Sequence, residues 1–220
     1  MITYRVSAFA PLVLILCCLG APATAAELID AIRAGDSAAV ESLLAAGGGP
    51  DTLTGDGEFA GKTALMWAAE SGEAGICHQL LDAGARVDAS NPKGGTALMY
   101  AAVNGHTEVI RLLVAAGADA RHEVSNGWSP LMLAAAKGHS DGARELVALG
   151  ADPDSRDVYG WTPLMRAVHN GHREMVRTLL DLGARTDISD RNGVTATTIA
   201  ESTGQSELAR LLAKGNTESH

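Results

Sequence analysis

The phrase TALMWAA at residues 63–69 returns as TALMYAA at 96–102, SPLMLAA at 129–135 and TPLMRAV at 162–168. A degraded copy, TATTIA, occupies residues 195–200. Each phrase begins thirty-three residues after the one before it, and a glycine precedes each phrase by two residues. A fixed period of this length is typical of a solenoid, in which every unit buries its apolar face against its neighbours. The sequence therefore predicts a repeat architecture before any single element is assigned.

The unit from Gly94 to Asn126 predicts two short helices and a connecting segment. Thr96 opens the first helix, whose inward face is small or apolar, and Asn104-Gly105 ends it in a tight turn. The second helix follows as HTEVIRLLVAAG at 106–117, with apolar residues at helical spacing and a glycine at its C-terminal end. A polar, extended segment then returns to the next glycine.

This arrangement resembles the ankyrin repeat, whose pattern runs G-x-T-P-L-H-x-A-A, then G-H, then a helix ending in L-L, then G-A-D. The resemblance covers Glu27 to Gly215. It implies an all-α, ankyrin-type solenoid of about six helix-turn-helix repeats with short β-hairpin-like fingers between them.

The two ends of the chain depart from the pattern as end repeats should, since each must present one face to water. The first repeat aligns with the second at an offset of thirty-seven residues, which leaves a four-residue insertion in a glycine-rich stretch. The last repeat carries polar residues at core positions. The predicted organisation is a signal peptide at 1–25, an N-terminal capping repeat with the glycine-rich insertion at 26–60, four 33-residue repeats at 61–192, and a C-terminal capping repeat with a tail at 193–220.

The N-terminal residues predict export. Arg5 is followed by an apolar run from Phe9 to Leu19, and Ala23-Thr24-Ala25 has the small-x-small form that signal peptidase cleaves. The apolar run is shorter than the roughly 20 residues that span a bilayer. We expect cleavage after Ala25 and a periplasmic protein, with secretion as the alternative.

The composition of the chain excludes some classes of binding partner and an intramolecular disulfide. The net charge of −9 argues against non-specific binding to nucleic acid or to anionic membranes. Two of the three cysteines leave with the signal, so Cys77 has no partner for an intramolecular disulfide. We expect a monomer without a cofactor, whose partner is a client protein.

The residues that suggest metal binding or redox chemistry are all explained by structural roles. Four methionines stand where the ankyrin pattern has histidine, and their thioethers suggest a copper(I) site. Equivalent residues of packed helices lie about 8–10 Å apart, too far for one ion, so we interpret them as core residues. The recurring His106, His139 and His172 are interpreted as structural, and Cys77 as a buried and inert thiol. No catalytic motif is present, and we predict that the protein is not an enzyme.

A stripe of arginines on the second helices has an acid three residues before each member, which predicts exposed ion pairs within each helix. The pairs are Glu108–Arg111, Asp141–Arg144, Glu174–Arg177 and Glu207–Arg210.

The aromatic residues suggest where a client binds. None lies on a second helix, and in the ankyrin fold the fingers and first helices line one concave surface. Tryptophan and tyrosine dominate protein-binding hot spots because each buries a large area at small entropic cost. The alternative for Trp67 and Tyr100 is packing against the next finger. The predicted partner-binding residues are Phe59, Trp67, Tyr100, Trp128, Tyr159, Trp161, Arg166 and His169.

The sequence thus favours an exported module that binds a client protein through the concave surface. Two other classes stay open. One is a secreted effector or immunity factor that acts on another cell. The other is a metal-handling or enzymatic protein.

Overall fold

The computed structural model describes residues 24–53 and 61–215. Within them the chain is all-helical, with twelve α-helices that pair into six repeats. The pairs are α1 Ala25–Arg33 with α2 Ser37–Ala45, α3 Ala64–Ser71 with α4 Ala74–Asp82, α5 Ala97–Asn104 with α6 Thr107–Ala115, α7 Pro130–Lys137 with α8 Ser140–Ala148, α9 Pro163–His169 with α10 Arg173–Asp181, and α11 Ala196–Ser202 with α12 Ser206–Gly215.

The repeated phrase forms the start of the first helix in the second to sixth repeats. In the fourth repeat the Ser129 hydroxyl accepts a hydrogen bond from the Met132 N–H at 3.2 Å, and Pro130 occupies the first helical position. A side-chain oxygen at this place satisfies one of the N–H groups that a helix leaves open, and proline at the first position has none to satisfy. The helix ends at Gly138, whose φ of 80° is left-handed. The phrase and the turn glycine therefore set both ends of the helix.

The repeats stack in one direction. First helices pack against first helices, and second helices against second helices, from α1 and α2 through α11 and α12. The interface between one repeat and the next is filled by buried leucines and alanines, and the small alanines let neighbouring helices approach closely. Met66, Met99, Met132 and Met165 are at most 4 % exposed. They belong to the core between repeats, as the sequence predicts.

The segments that join one repeat to the next are called the fingers here, and those that the structure describes in full, from the second repeat onward, are hairpin-like turns. In the third repeat the Asn91 N–H bonds the Gly95 C=O at 3.0 Å, and the same bond recurs between Asp157 and Trp161 at 3.0 Å. Of regular pairing, the described residues contain only two isolated antiparallel bridges, Leu53 with Thr63 and Ser189 with Thr195. The fingers are thus held by turns and by contact with the next finger rather than by a sheet.

Contact between fingers explains the glycine before the phrase of the fourth repeat, whereas a Cβ at Gly193 would meet nothing within 4 Å. A Cβ at Gly127 would lie 2.8 Å from the Cα of Asp157, in the next finger, and the φ of Gly127 is 78°. Only glycine meets both conditions without strain. The Val158 N–H also bonds the Asn126 C=O at 3.1 Å, so adjacent fingers are joined through their backbones.

The beginning of the described chain bears on the predicted cleavage point. Thr24 caps α1: its side chain accepts from the Glu27 N–H at 3.3 Å, and Glu27 accepts from the Thr24 N–H at 2.9 Å. These bonds hold the pKa of Glu27 below its ordinary value. The rest of the predicted signal lies outside the described residues. Cleavage after Ala25 would remove this cap.

The ion pairs on the second helices differ from the predicted ones. Only Arg177 lies near the acid of its own helix, with 3.8 Å to Glu174. Arg111 instead pairs with Glu145 of the next repeat at 2.9 Å, and this contact lowers the pKa of Glu145. The prediction of pairs within each helix is wrong for Arg111 because stacking brings a neighbouring acid within reach. In the described part of the chain, no helix has the length and apolar character needed to cross a membrane.

Candidate functional site

A groove runs between the fingers and the first helices, and two sets of equivalent positions line it. The finger set is the residue that precedes the Thr or Ser of each phrase: Lys62, Gly95, Trp128 and Trp161. The helix set is the fifth residue of each phrase: Trp67, Tyr100, Leu133 and Arg166. We call these the finger row and the helix row.

Lys62 joins the two rows at the second and third repeats. Its ammonium nitrogen lies 4.3 Å from the ring centre of Trp67 and 4.4 Å from that of Tyr100. It also forms an ion pair with Glu70 at 2.6 Å, and the Lys62 side chain is 7 % exposed. A cation held over two aromatic faces is stabilised by both ring quadrupoles, more strongly when water is excluded. The cluster ties the second repeat to the third.

Arg166 forms the matching cluster at the fourth and fifth repeats, with the roles of the rows exchanged. Its guanidinium lies 4.5 Å from the ring centres of both Trp128 and Trp161. It forms an ion pair with the fully buried carboxylate of Asp157. The Trp161 ring contacts the His169 ring edge to face, with 5.4 Å between centroids. Two tryptophans, an arginine and a histidine thus form one rigid group on the groove.

Carboxylates in the fingers hold these aromatic residues in place. Asp157 accepts hydrogen bonds from the N–H groups of Tyr159 and Trp161, each at 2.9 Å. Asp190, in the next finger, accepts from the Trp161 indole at 3.2 Å. The N–H of Val194 is the main cause that holds the pKa of Asp190 below its ordinary value, with the indole bond adding to it. Side chains fixed in this way lose little freedom when a partner binds.

Between the two clusters lies an open cleft of about 660 Å³. Gly95 stands in the finger row where the neighbouring repeats carry Lys62 and Trp128, so no side chain fills the space above Tyr100 and Leu133. The Tyr100 hydroxyl accepts from the Asn91 amide at 2.9 Å, and burial raises the pKa of Tyr100. The lining comes from two fingers and two first helices: Asn91, Pro92, Lys93, Gly95, Met99, Tyr100, Val103, Val124, Ser125, Asn126, Trp128 and Leu133.

The structure brings most of the sequence-predicted residues together in these clusters. Trp67 and Tyr100 share Lys62 and also pack against the core. Trp128, Trp161, Arg166 and His169 form the second cluster. Tyr159 stands apart at a finger tip with 63 % of its surface exposed. Phe59 lies outside the described residues.

Sequence reasoning missed several residues of the groove. Lys62 and Asp157 read as ordinary charged residues of loops, yet each holds an aromatic cluster together. Gly95 reads as one more turn glycine, although its missing side chain creates the cleft. The available signal was the repeat register, because aligning the phrases places Gly95 in the column of Lys62, Trp128 and Trp161.

The other candidate chemistries have structural explanations. The Nε2 atoms of His106, His139 and His172 lie 2.9–3.0 Å from backbone carbonyl oxygens of the preceding repeat. Cys77 is fully buried, and burial raises the pKa of its thiol to about 12. In the described part of the chain, no three His, Cys, Asp or Glu residues are grouped to hold a metal ion.

Comparison with known proteins identifies the family. A family model described as ankyrin repeats in three copies matches residues 28–124, 65–157 and 131–219, which overlap along almost the whole described chain. The comparison with curated proteins found no match to this chain. Ankyrin repeats are protein–protein interaction modules, and proteins built from them are generally non-enzymatic scaffolds. The matched repeats and the stacked helix pairs agree, and the chain belongs to the ankyrin repeat family.

Proposed function

We propose that this protein is an exported, monomeric protein-binding module that holds a client along the groove between its fingers and first helices. The single observation that carries the proposal is the row of fixed aromatic and cationic side chains on that groove, interrupted by the open cleft at Gly95. Aromatic residues already locked by neighbours keep most of their contact energy when a partner binds. The proposed activity is recognition, and the output is inhibition, scaffolding or protection of the client.

Export is proposed from the N-terminal sequence alone. Arg5, the apolar run and Ala23-Thr24-Ala25 are the parts of a cleavable signal. Mass spectrometry of the protein from a periplasmic extract tests this, with a polypeptide that begins at Ala26 as the expected result. A full-length chain confined to the cytoplasm would overturn it.

Site-specific photo-crosslinking tests the binding surface. A benzoylphenylalanine is introduced at Tyr159 or at Lys137, which are exposed on the groove side, and cells are irradiated. Matched controls carry the same probe at Arg177 and Arg210, which are exposed on second helices. We expect a discrete adduct from the groove positions only.

Adducts from the second-helix positions alone would show that the client binds elsewhere. A Tyr159→Ala variant adds an equilibrium measurement, because this exposed side chain is not needed for the fold. Once the adduct is identified by mass spectrometry, we expect the purified partner to bind that variant more weakly than it binds the parent protein. Equal affinity would exclude Tyr159 from the contact.

A further inference from the structure

We infer that the cleft at Gly95 receives one large apolar side chain from an extended segment of the partner, and that acidic residues flank this anchor. The inference rests on the proposed function and specifies which chemistry the groove selects.

The periodic geometry shows why the cleft is vacant. In this fold a finger-row side chain reaches the helix-row residue of its own repeat and that of the next, as Lys62 does with Trp67 and Tyr100. Trp128 and Arg166 repeat the contact between the fourth and fifth repeats. At Gly95 the corresponding side chain is absent, and its two neighbours in the helix row would be Tyr100 and Leu133. The space is therefore the place of one missing large side chain.

The walls of the cleft select an apolar anchor. Tyr100, Leu133 and Trp128 line it together with Val103 and Val124. A cleft of about 660 Å³ falls in the range of clefts that bind ligands and accommodates an aromatic or large aliphatic side chain together with the backbone that carries it. Because the clusters of Lys62 and Arg166 occupy the groove on either side, the partner must pass over them as an extended chain.

The charge around the cleft selects the flanking residues. Lys93 lines the cleft, and Lys137 follows Leu133 by four residues on the same face of α7. Both lysines are exposed, and neither forms an ion pair with a described residue. The lining has no carboxylate, although the whole chain carries a net charge of −9.

Two of the acids around the cleft are engaged, while Glu123, which precedes Val124 of the lining, is exposed and forms no ion pair with a described residue. Glu70 pairs with Lys62 and Asp157 pairs with Arg166. The ammonium groups of Lys93 and Lys137 therefore stand against one unpaired carboxylate near the lining, that of Glu123, and the charge around the cleft is positive on balance. Complementary charge makes an acidic segment the favoured occupant and a basic one the disfavoured occupant.

A random dodecapeptide library displayed on phage provides the test, with the parent protein as bait at low salt. Gly95→Trp fills the cleft with the side chain type that Trp128 and Trp161 carry at equivalent positions. A Cβ at Gly95 would lie 3.1 Å from the amide nitrogen of Asn91, so the Asn91 side chain must shift by a few tenths of an ångström to admit it. Gly75→Trp is the matched control, because a Cβ at Gly75, on α4, has no atom within 4 Å. We expect enriched peptides with one large apolar residue between acidic residues. Their affinity should fall about 10- to 100-fold with Gly95→Trp and stay unchanged with Gly75→Trp.

Charge reversal tests the flanking acids separately. Lys93→Glu and Lys137→Glu should each weaken the selected peptides about three- to tenfold, with the difference shrinking at high salt. Arg210→Glu, on α12, changes the net charge equally and should have little effect.

Several results would overturn the inference. These are enrichment of basic or uncharged peptides, equal binding to Gly95→Trp, or no enrichment at all. None of these outcomes by itself refutes the proposed function, which the crosslinking experiment tests separately. A client crosslinked at Tyr159 whose affinity ignores Gly95→Trp and both lysine reversals would keep the module and refute the acidic anchor. Circular dichroism of each variant, matched to that of the parent, shows that the fold is intact.

Discussion

The contact between a turn glycine and the histidine of the next repeat, present at Gly72, Gly105 and Gly138, should set a measurable part of the stability. Gly105 ends α5 with a φ of 74°, and a Cβ there would lie 2.5 Å from the His139 ring. The same ring bonds the Val103 carbonyl oxygen at 3.0 Å. Gly105→Ala therefore strains the backbone and displaces the ring from its hydrogen bond.

The two effects have separate magnitudes. A left-handed backbone costs an alanine roughly 1–2 kcal/mol relative to glycine. Loss of the histidine bond adds about 1 kcal/mol, the usual net contribution of one hydrogen bond. We expect Gly105→Ala to lower the free energy of unfolding by about 2–3 kcal/mol. In a His139→Ala background the collision is absent, and the cost should fall to about 1–2 kcal/mol.

Urea denaturation followed by circular dichroism at 222 nm measures all four proteins of this cycle. Gly171→Ala is a control in the native sequence, since Gly171 has a φ of 72° but its nearest contact is Gln205 at 3.8 Å. It should show the backbone cost alone. If Gly105→Ala costs the same with and without His139, the ring contact contributes nothing and the reasoning is refuted.

Further results are expected for Arg166, for Cys77 and for the removal of one repeat. Arg166→Ala should destabilise the protein by about 3 kcal/mol because it leaves the buried Asp157 carboxylate without its cation. It should also shift the tryptophan fluorescence, because Trp128 and Trp161 lose the guanidinium stacked on them. Urea titration and emission spectra measure the two effects, and an unchanged urea midpoint would contradict the expected loss of stability. Cys77 should resist a thiol reagent such as DTNB at pH 8 until the protein is unfolded, because its thiol is buried. Because the pKa of the Cys77 thiol is raised to about 12 in the folded state, the folded protein keeps the thiol proton at pH values where the unfolded chain loses it. The free energy of unfolding should therefore fall as pH rises from about 9 to about 12. A Cys77→Ala variant with the same decline would assign the decline to other groups. Deleting the thirty-three residues 127–159 removes one repeat and keeps the register of the others. The product should be folded, with similar helix content per residue and lower stability, because stacked repeats contribute nearly additively to the free energy of unfolding. Complete loss of helical circular dichroism would contradict the solenoid.

The fold follows from the sequence because the information for it is local and repeated. A Thr or Ser that caps a helix, small and apolar residues on one helical face, and a glycine where the backbone must turn left-handed each act within a few residues. Four clear copies in register then require neighbouring units to stack. The burial of the four methionines and of Cys77 could be predicted for the same reason, since each occupies a core column of the repeat.

The groove was only partly predictable, because its contacts cross from one repeat to the next. The sequence indicates that Trp128, Trp161 and Arg166 share a face, but the clamp around the guanidinium depends on how two fingers and a helix meet in space. Arg111 similarly finds Glu145 of the neighbouring repeat rather than the acid of its own helix. Stacking brings residues about thirty-three positions apart within a few ångströms, and the distances that result depend on the tertiary structure.

The sequence alone determined that this chain is an ankyrin-type stack of helix pairs, because capping, helical periodicity and the repeat register act locally and agree. Only the tertiary structure decided that Lys62 and Arg166 are held between aromatic rings and that Gly95 leaves a cleft between them. A missing side chain becomes a cavity only when its neighbours are fixed around it, and those neighbours come from two fingers and two helices.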